Sequence, residues 1–334
     1  MMITGCTGSI GAMVLGSVAQ DPGVERIYVV GERPGTALPA HPDLRVVGGE
    51  LGRPRFGLRA YELEQLGGSV DTIFHCAERT ALDRDLEAAR AANVQPVSTL
   101  VDLLGGNPGA RLAHVSTTMV AGTKRGLFTE FDLACGQRFH NAYEQSKFEA
   151  ETLLRESKVW DRVTVFRRSL TVEEAPGAGA PLSALLDDLR RRRPVLLAGD
   201  PRMRLDAVPL SYVVGSMVAL ARRPEALGQT LHLVAGLVHA RPLGELVAAL
   251  RGRLQRGRVG FVPPVLARII GAVGLLTLGL VEVFPGRHRA FAPYFRHRQA
   301  FDDFRARALL DPLGLPLPSP EACLAEWVGA SQRP

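Results

Sequence analysis

A glycine repeat at the very start of the chain limits what it can fold into. Met1 to Ile3 is a short apolar piece that runs into Thr4-Gly5-Cys6-Thr7-Gly8-Ser9-Ile10-Gly11, with a glycine at every third position. Glycine reaches positive φ and lets backbone come close to a ligand. Ala12 to Ala19 then reads as a helix. Strand, glycine turn and helix start together aim backbone N–H groups and the positive helix end at a pyrophosphate. The spacing is GxxGxxG, not GxGxxG, and the same letters suit a turn that merely packs a helix against a strand. The first strand has three residues before Thr4 against the usual run of about 4–8 apolar residues, so either the strand is short or the true start lies upstream of Met1.

The rest of the amino-terminal half decides between these. Arg26–Val30, Leu44–Val47, Val70–Ala77, Arg111–Ser116 and Arg162–Arg167 read as strands. Leu86–Leu104, closed by Gly105-Gly106, reads as one long helix, and Tyr143–Glu156 as another. This β-α-β-α order predicts an α/β protein with a Rossmann-like doubly wound parallel sheet, whose ligands sit at the carboxyl ends of the strands. The expected division is a dinucleotide-binding domain over 1–171, with sheet and helix returns near 206–235, and a smaller, mostly helical substrate-binding region over 172–334.

Composition narrows the class. A chain of 334 residues with 46% hydrophobic content holds one large domain with an appendage. The four cysteines have no metal or redox spacing, so no metal is expected, and a reducing cytoplasm is the expected compartment. No charged segment followed by an apolar one opens the chain, so secretion is not indicated. Net charge is +6, and Arg190-Arg191-Arg192-Arg193 is a run of four arginines. It reads either as a solvated helix end or as a docking patch for an acidic partner. It has no aromatic interleaving and no nucleic-acid motif, so no nucleic-acid partner is expected.

Several strand ends are placed to line a dinucleotide. The glycine turn contributes Thr4, Gly5, Thr7, Gly8, Ser9, Ile10 and Gly11. Glu32 and Arg33 follow the second strand, where an acidic group favours a free ribose 2′-hydroxyl and an arginine favours a 2′-phosphate. With Arg33 on a phosphate and Glu32 turned to solvent, NADP is expected; NAD is the alternative. Glu50 and Leu51 end the third strand, where a carboxylate would accept from the adenine amino group. Cys76 and Ala77 end the fourth, where small residues let backbone reach the second ribose.

The reactive residues come next. Tyr143 and Lys147, four apart in a helix, share a face. A tyrosine ionises near pH 10, and a nearby ammonium with the positive nicotinamide is expected to lower that value. Tyr143 would then exchange a proton with a carbonyl or alcohol oxygen while hydride moves, and Lys147 would also hold the nicotinamide ribose. Ser116-Thr117-Thr118 offers hydroxyl donors at the end of the preceding strand.

With TGCTGSIG, HCA at 75–77, Asn93, VSTTMVAG at 115–122 and YEQSK at 143–147 in order, the chain resembles the extended short-chain dehydrogenase/reductases over about residues 1–250. It is similar to their thioester-reductase and fatty acyl-CoA reductase (male sterility type) branch in Val47–Leu58, Val70–His75, VSTTMVAG and Asp206–Val214. The resemblance implies Tyr143 as acid/base, Lys147 as its partner, Thr117 rather than Ser116 as donor to the substrate oxygen, and Asn93 in a structural or proton-relay role. It also implies an acyl-thioester or derived carbonyl substrate, carried on coenzyme A or an acidic carrier protein. Glu50 stands where the family usually has aspartate, Arg168 where proline usually follows the arginine of the sixth strand, and Ala121 where a larger residue is common. A nucleotide-sugar epimerase or dehydratase, a 3-hydroxy dehydrogenase and a non-catalytic NADP-binding regulator are the alternatives.

In the carboxyl-terminal third, Val208–Leu210 and Leu231–Val234 read as strands, and Leu182–Arg193 and Leu243–Leu254 as helices. An apolar helix is expected over 264–282, with an uncharged run, Ile269 to Val281, too short to span a bilayer. It reads as a core helix, a wall of an acyl-chain tunnel or, with the basic residues up to 298, a peripheral membrane contact. A final helix is expected over Glu321–Val328. A homodimer through Leu86–Leu104 and Tyr143–Glu156 is an open alternative.

Overall fold

A computed structural model describes residues 1–32, 38–172, 195–254, 259–263, 282–284, 293–294, 299–317 and 319. Arg33, the arginine run at 190–193 with its helix, the apolar stretch 264–281, the basic residues around 287–289 and 296–298, and the final helix lie outside the described residues; Glu282, expected as the end of the apolar helix, instead begins a strand, Glu282–Phe284.

Seven strands form the main sheet: β1 (Met2–Thr4), β2 (Ile27–Val30), β3 (Leu44–Val47), β4 (Thr72–His75), β5 (Arg111–Thr117), β6 (Val163–Arg168) and β7 (Gln229–Leu233). Their order is β3-β2-β1-β4-β5-β6-β7, and every neighbouring pair is parallel. The order reverses between β1 and β4, where Ile3 pairs with both Val29 and Phe74. β1, β2 and β4 are buried throughout, which is why their apolar residues do not alternate with exposed ones. The short first strand pairs along its whole length with β2 on one side and β4 on the other.

Successive residues feed opposite faces, as the two-residue period requires. Ile3, Phe74 and Val115 join one core with Val14 and Val18 of helix α1 (Ser9–Val18) and Val213 and Met217 of a helix over Leu210–Leu220. Met2, Ile73 and Leu112 join the other core. There they meet Leu63 of α2 (Ala60–Gly68) and, beyond α3 (Leu86–Asn93), Leu100 of α4 (Gln95–Gly106) and Leu154 of α5 (Ala142–Glu156).

The stretch 86–104 is two helices, not the single one the sequence suggests. Pro96 cannot donate an N–H and its ring crowds the carbonyl four residues earlier, so the chain breaks at Val94 and restarts with the proline in the first turn of α4. β5 runs one residue further than expected and carries Thr117 to its end. Residues beyond 172 return to the amino-terminal half: β7 is an edge strand of the main sheet, Ala207–Pro209 pairs with Leu170–Val172, and Gln299–Phe301 pairs with Gly126–Phe128.

Candidate active site

The three turn glycines serve different ends. Gly5 takes φ +79°, and a Cβ there would fall 2.4 Å from the Ala77 nitrogen. A Cβ on Gly11 would fall 2.2 Å from the Gly5 carbonyl oxygen. Gly8 meets nothing nearer than 3.6 Å and is exposed with Thr7 and Ser9 at the start of α1. Gly5 and Gly11 therefore let the turn close on β4 and on itself, and Gly8 leaves its outer side open.

That open side borders a cleft of ≈750 Å³. Gly5, Thr7, Gly8, Ser9 and Ile10 line one side; Glu50, Leu51, Cys76 and Ala77 also border it. Thr4 and Gly11, expected as cofactor contacts, lie behind the turn instead. The Thr4 hydroxyl is 2.6 Å from His75 Nδ1, and Gly11 is buried against Gly5. Glu32 is exposed and borders the cleft. Glu50 is exposed and ion-paired with Arg53. A dinucleotide fits such a cleft: open backbone at the positive end of a helix for the pyrophosphate, small residues opposite, and a carboxylate after β2 where ribose hydroxyls are read.

The cleft ends at Glu78 and Arg168, and behind them sit the reactive side chains. Asn141 caps α5 by accepting from the Glu144 N–H, which puts Tyr143 in the first turn and Lys147 a turn later. Both are buried. The Tyr143 hydroxyl donates to Glu78 Oε2 at 3.0 Å and has the Thr117 hydroxyl close by. Lys147 Nζ donates to the Val115 carbonyl at 2.6 Å and stands 3.7 Å from Glu78 Oε2. The second Glu78 oxygen accepts from Arg168 at 2.5 Å.

Ser116 faces the other way: its hydroxyl donates to Glu151, which is fully buried in an ion pair with Arg167 at 2.8 Å. Thr117 is thus the hydroxyl of this pair that reaches Tyr143. Asn93 Oδ1 accepts from the Arg79 N–H at 2.7 Å, and its amide donates to the Arg79 carbonyl and to Ser146. Asn93 therefore ties the loop carrying Glu78 to α5.

The electrostatics differ from the sequence expectation. Burial, and then the Glu78 carboxylate, push the Tyr143 phenol above its ordinary range; no net lowering by Lys147 results. Burial lowers Lys147, with Glu78 opposing. Burial alone would raise Glu78, but Arg168 and Lys147 outweigh it and hold the carboxyl below its usual range. Burial pushes the Cys6 thiol up to about 12 and raises Cys76 as well, so neither is a nucleophile at neutral pH. Glu78 was not among the residues singled out from the sequence. Its one signal was position, directly after the small residues that end β4 and on the ligand edge of the sheet.

The family model described as Male sterility protein matches residues 31–217. A hybrid PKS-NRPS synthetase, mpsA, of Macrophomina phaseolina (strain MS6) is 29% identical over 232 residues, 64% of this chain. The chain spans only 5–6% of the length of the curated relatives it matches first. The crystal structure of the terminal R domain from the myxalamid PKS-NRPS biosynthetic pathway superposes with a TM-score of 0.82 at 24% identity, over 98% of this chain and 89% of that one. MoeE5 in complex with UDP-glucose and NAD superposes with a TM-score of 0.68 at 20% identity, over 99% and 98%. At these identities the two superpositions show a shared fold and nothing finer. With the family model covering more than half its length, the chain belongs to the male sterility protein family, in the thioester-reductase-like branch of the extended short-chain dehydrogenase/reductases, and so to the NAD(P)-dependent oxidoreductases.

Proposed function

We propose that the chain reduces the carbonyl of an acyl thioester, or of the aldehyde derived from it, with Tyr143 as proton donor. The observation that carries this reading is the meeting of Thr117, from the end of β5, with Tyr143 and Lys147, from α5, in one buried spot at the end of the cleft. A bound nicotinamide supplies hydride to the carbonyl carbon. The residues of the chain handle the charge that then builds on the carbonyl oxygen. Thr117 donates a hydrogen bond to that oxygen, and Tyr143 gives it a proton. The Lys147 ammonium, fixed by the Val115 carbonyl, stabilises the phenolate left behind. With a thioester the resulting hemithioacetal collapses to aldehyde and free thiol.

The glycine turn with Cys76 and Ala77 would hold the cofactor. NADP is our reading from Arg33; the specific observation favouring NAD is that Glu32 lines the cleft. The substrate is placed on coenzyme A or an acidic carrier, with residues from 172 onward as its side of the molecule. A nucleotide-sugar epimerase or dehydratase is the second reading, supported by the fold shared with MoeE5.

The test is loss of reduced-cofactor absorbance with a panel of acyl-CoAs and aldehydes, run in parallel with NADPH and NADH. We expect turnover with thioesters and a fall of about 10²-fold or more in Tyr143→Phe, the usual contribution of a positioned acid. Binding of cofactor with no reduction of any panel member overturns the reading.

A further inference from the structure

The Tyr143 hydroxyl has one proton to donate, and it goes to Glu78. That acceptor is a carboxylate only 9% exposed, held by Arg168 on one oxygen and by Lys147 near the other. Its backbone is pinned next door, where Asn93 brackets Arg79. A hydrogen bond to an ionised acceptor is about twice as strong as one to a neutral carbonyl. A thioester or aldehyde oxygen that needs the same proton must displace Glu78 to reach it.

We propose that Glu78 is a specificity-determining residue: it competes with the substrate carbonyl for the Tyr143 hydroxyl, so that the acid is reached only by a carbonyl that the rest of its substrate holds in place. This rests on Tyr143 being the proton donor of the reaction. An acyl group anchored through a coenzyme or a carrier meets the site at high local concentration and displaces the carboxylate. A short free aldehyde has no such support. Arg168 belongs to the same device. It stands where the related family usually has proline, and its partner is the carboxylate that masks the acid.

The test is a double-mutant cycle read by binding, not turnover. Octanamide carries a carbonyl that accepts a hydrogen bond but is not reduced, and its affinity is measured by calorimetry at saturating NADPH. Glu78→Gln keeps the shape and removes the charge, and should bind octanamide about tenfold more tightly than the wild type. The gain should vanish when Tyr143→Phe is added, because the contested proton is then gone. Glu78→Gln removes one carboxylate that Arg168 pairs with, so Glu78→Gln/Arg168→Met, which removes both charges, is measured as well and should show the same gain. Equal or weaker binding in both charge-neutral variants overturns the proposal, as does a gain that persists without the Tyr143 hydroxyl. If the wild type reduces no carbonyl at all, the proposed function falls, and the binding cycle still reports whether Glu78 contests the hydroxyl.

Discussion

Glu130 shows how much one side chain can govern. It is buried, and its carboxylate accepts from the backbone N–H groups of His232, Arg305 and Ala306. Burial outweighs those three donors and raises its pKa from 4.5 to about 7. The folded chain therefore keeps a proton that the unfolded chain has already lost. Stability from this group is full below the unfolded value, falls as pH rises from about 4.5 to about 7, and stays reduced above that, by on the order of 3 kcal/mol. Asp303, raised by burial to about 6, acts in the same direction. Urea denaturation at intervals across that window should show a smaller loss of stability in Glu130→Gln than in the wild type; equal losses would contradict the assignment. At this scale the sequence was only partly readable. Tyr143, Lys147 and Thr117 announce themselves by type and spacing. Glu78 does not, because its meaning comes from Tyr143, 65 residues away, and Arg168, 90 residues away. Thr4 and Gly11 sit behind the turn, and a motif lists letters without saying which face the ligand and which face the packing.

Between elements, the glycines of the turn and of α1 make opposite predictions. Gly11→Ala would put a methyl 2.2 Å from the Gly5 carbonyl, and backbone on both sides must shift. We expect a loss of about 1–3 kcal/mol of stability, and dinucleotide affinity about tenfold weaker or worse, because the turn that borders the cleft moves. Gly16, in the same helix, has nothing within 4 Å of an added Cβ, and Gly16→Ala should stabilise the protein by about 0.5–1 kcal/mol without changing affinity. Thermal unfolding and cofactor fluorescence titration of the pair check both. The elements themselves were legible because a doubly covered parallel sheet writes its strands as apolar runs. The exception, one helix read over 86–104, arises where Pro96 sits inside an otherwise helical pattern: the pattern speaks for the buried face, and the proline for the chain path.

For the whole molecule, parallel strands with crossover helices bring the turn after β1, the loop after β4 and the end of β5 to one edge of the sheet, and the cleft and the acid meet there. That convergence, and not any single motif, supports the reductase reading. Of the segments on which the sequence rests its tunnel, membrane and carrier-docking expectations, 190–193 and all of 264–298 except 282–284 and 293–294 lie outside the described residues. Among those that are described, no helix is long and apolar enough to cross a membrane. The central claim is that hydride reaches the carbonyl carbon of a thioester. The direct measurement is incubation with an acyl-CoA and reduced cofactor deuterated at the transferring carbon, followed by mass spectrometry of the product and a titration of free thiol. Deuterium should appear on the former carbonyl carbon and thiol should be released in step with cofactor oxidised, both lost in Tyr143→Phe. Unlabelled product and no thiol, with a sugar nucleotide converted without net cofactor consumption, would contradict it.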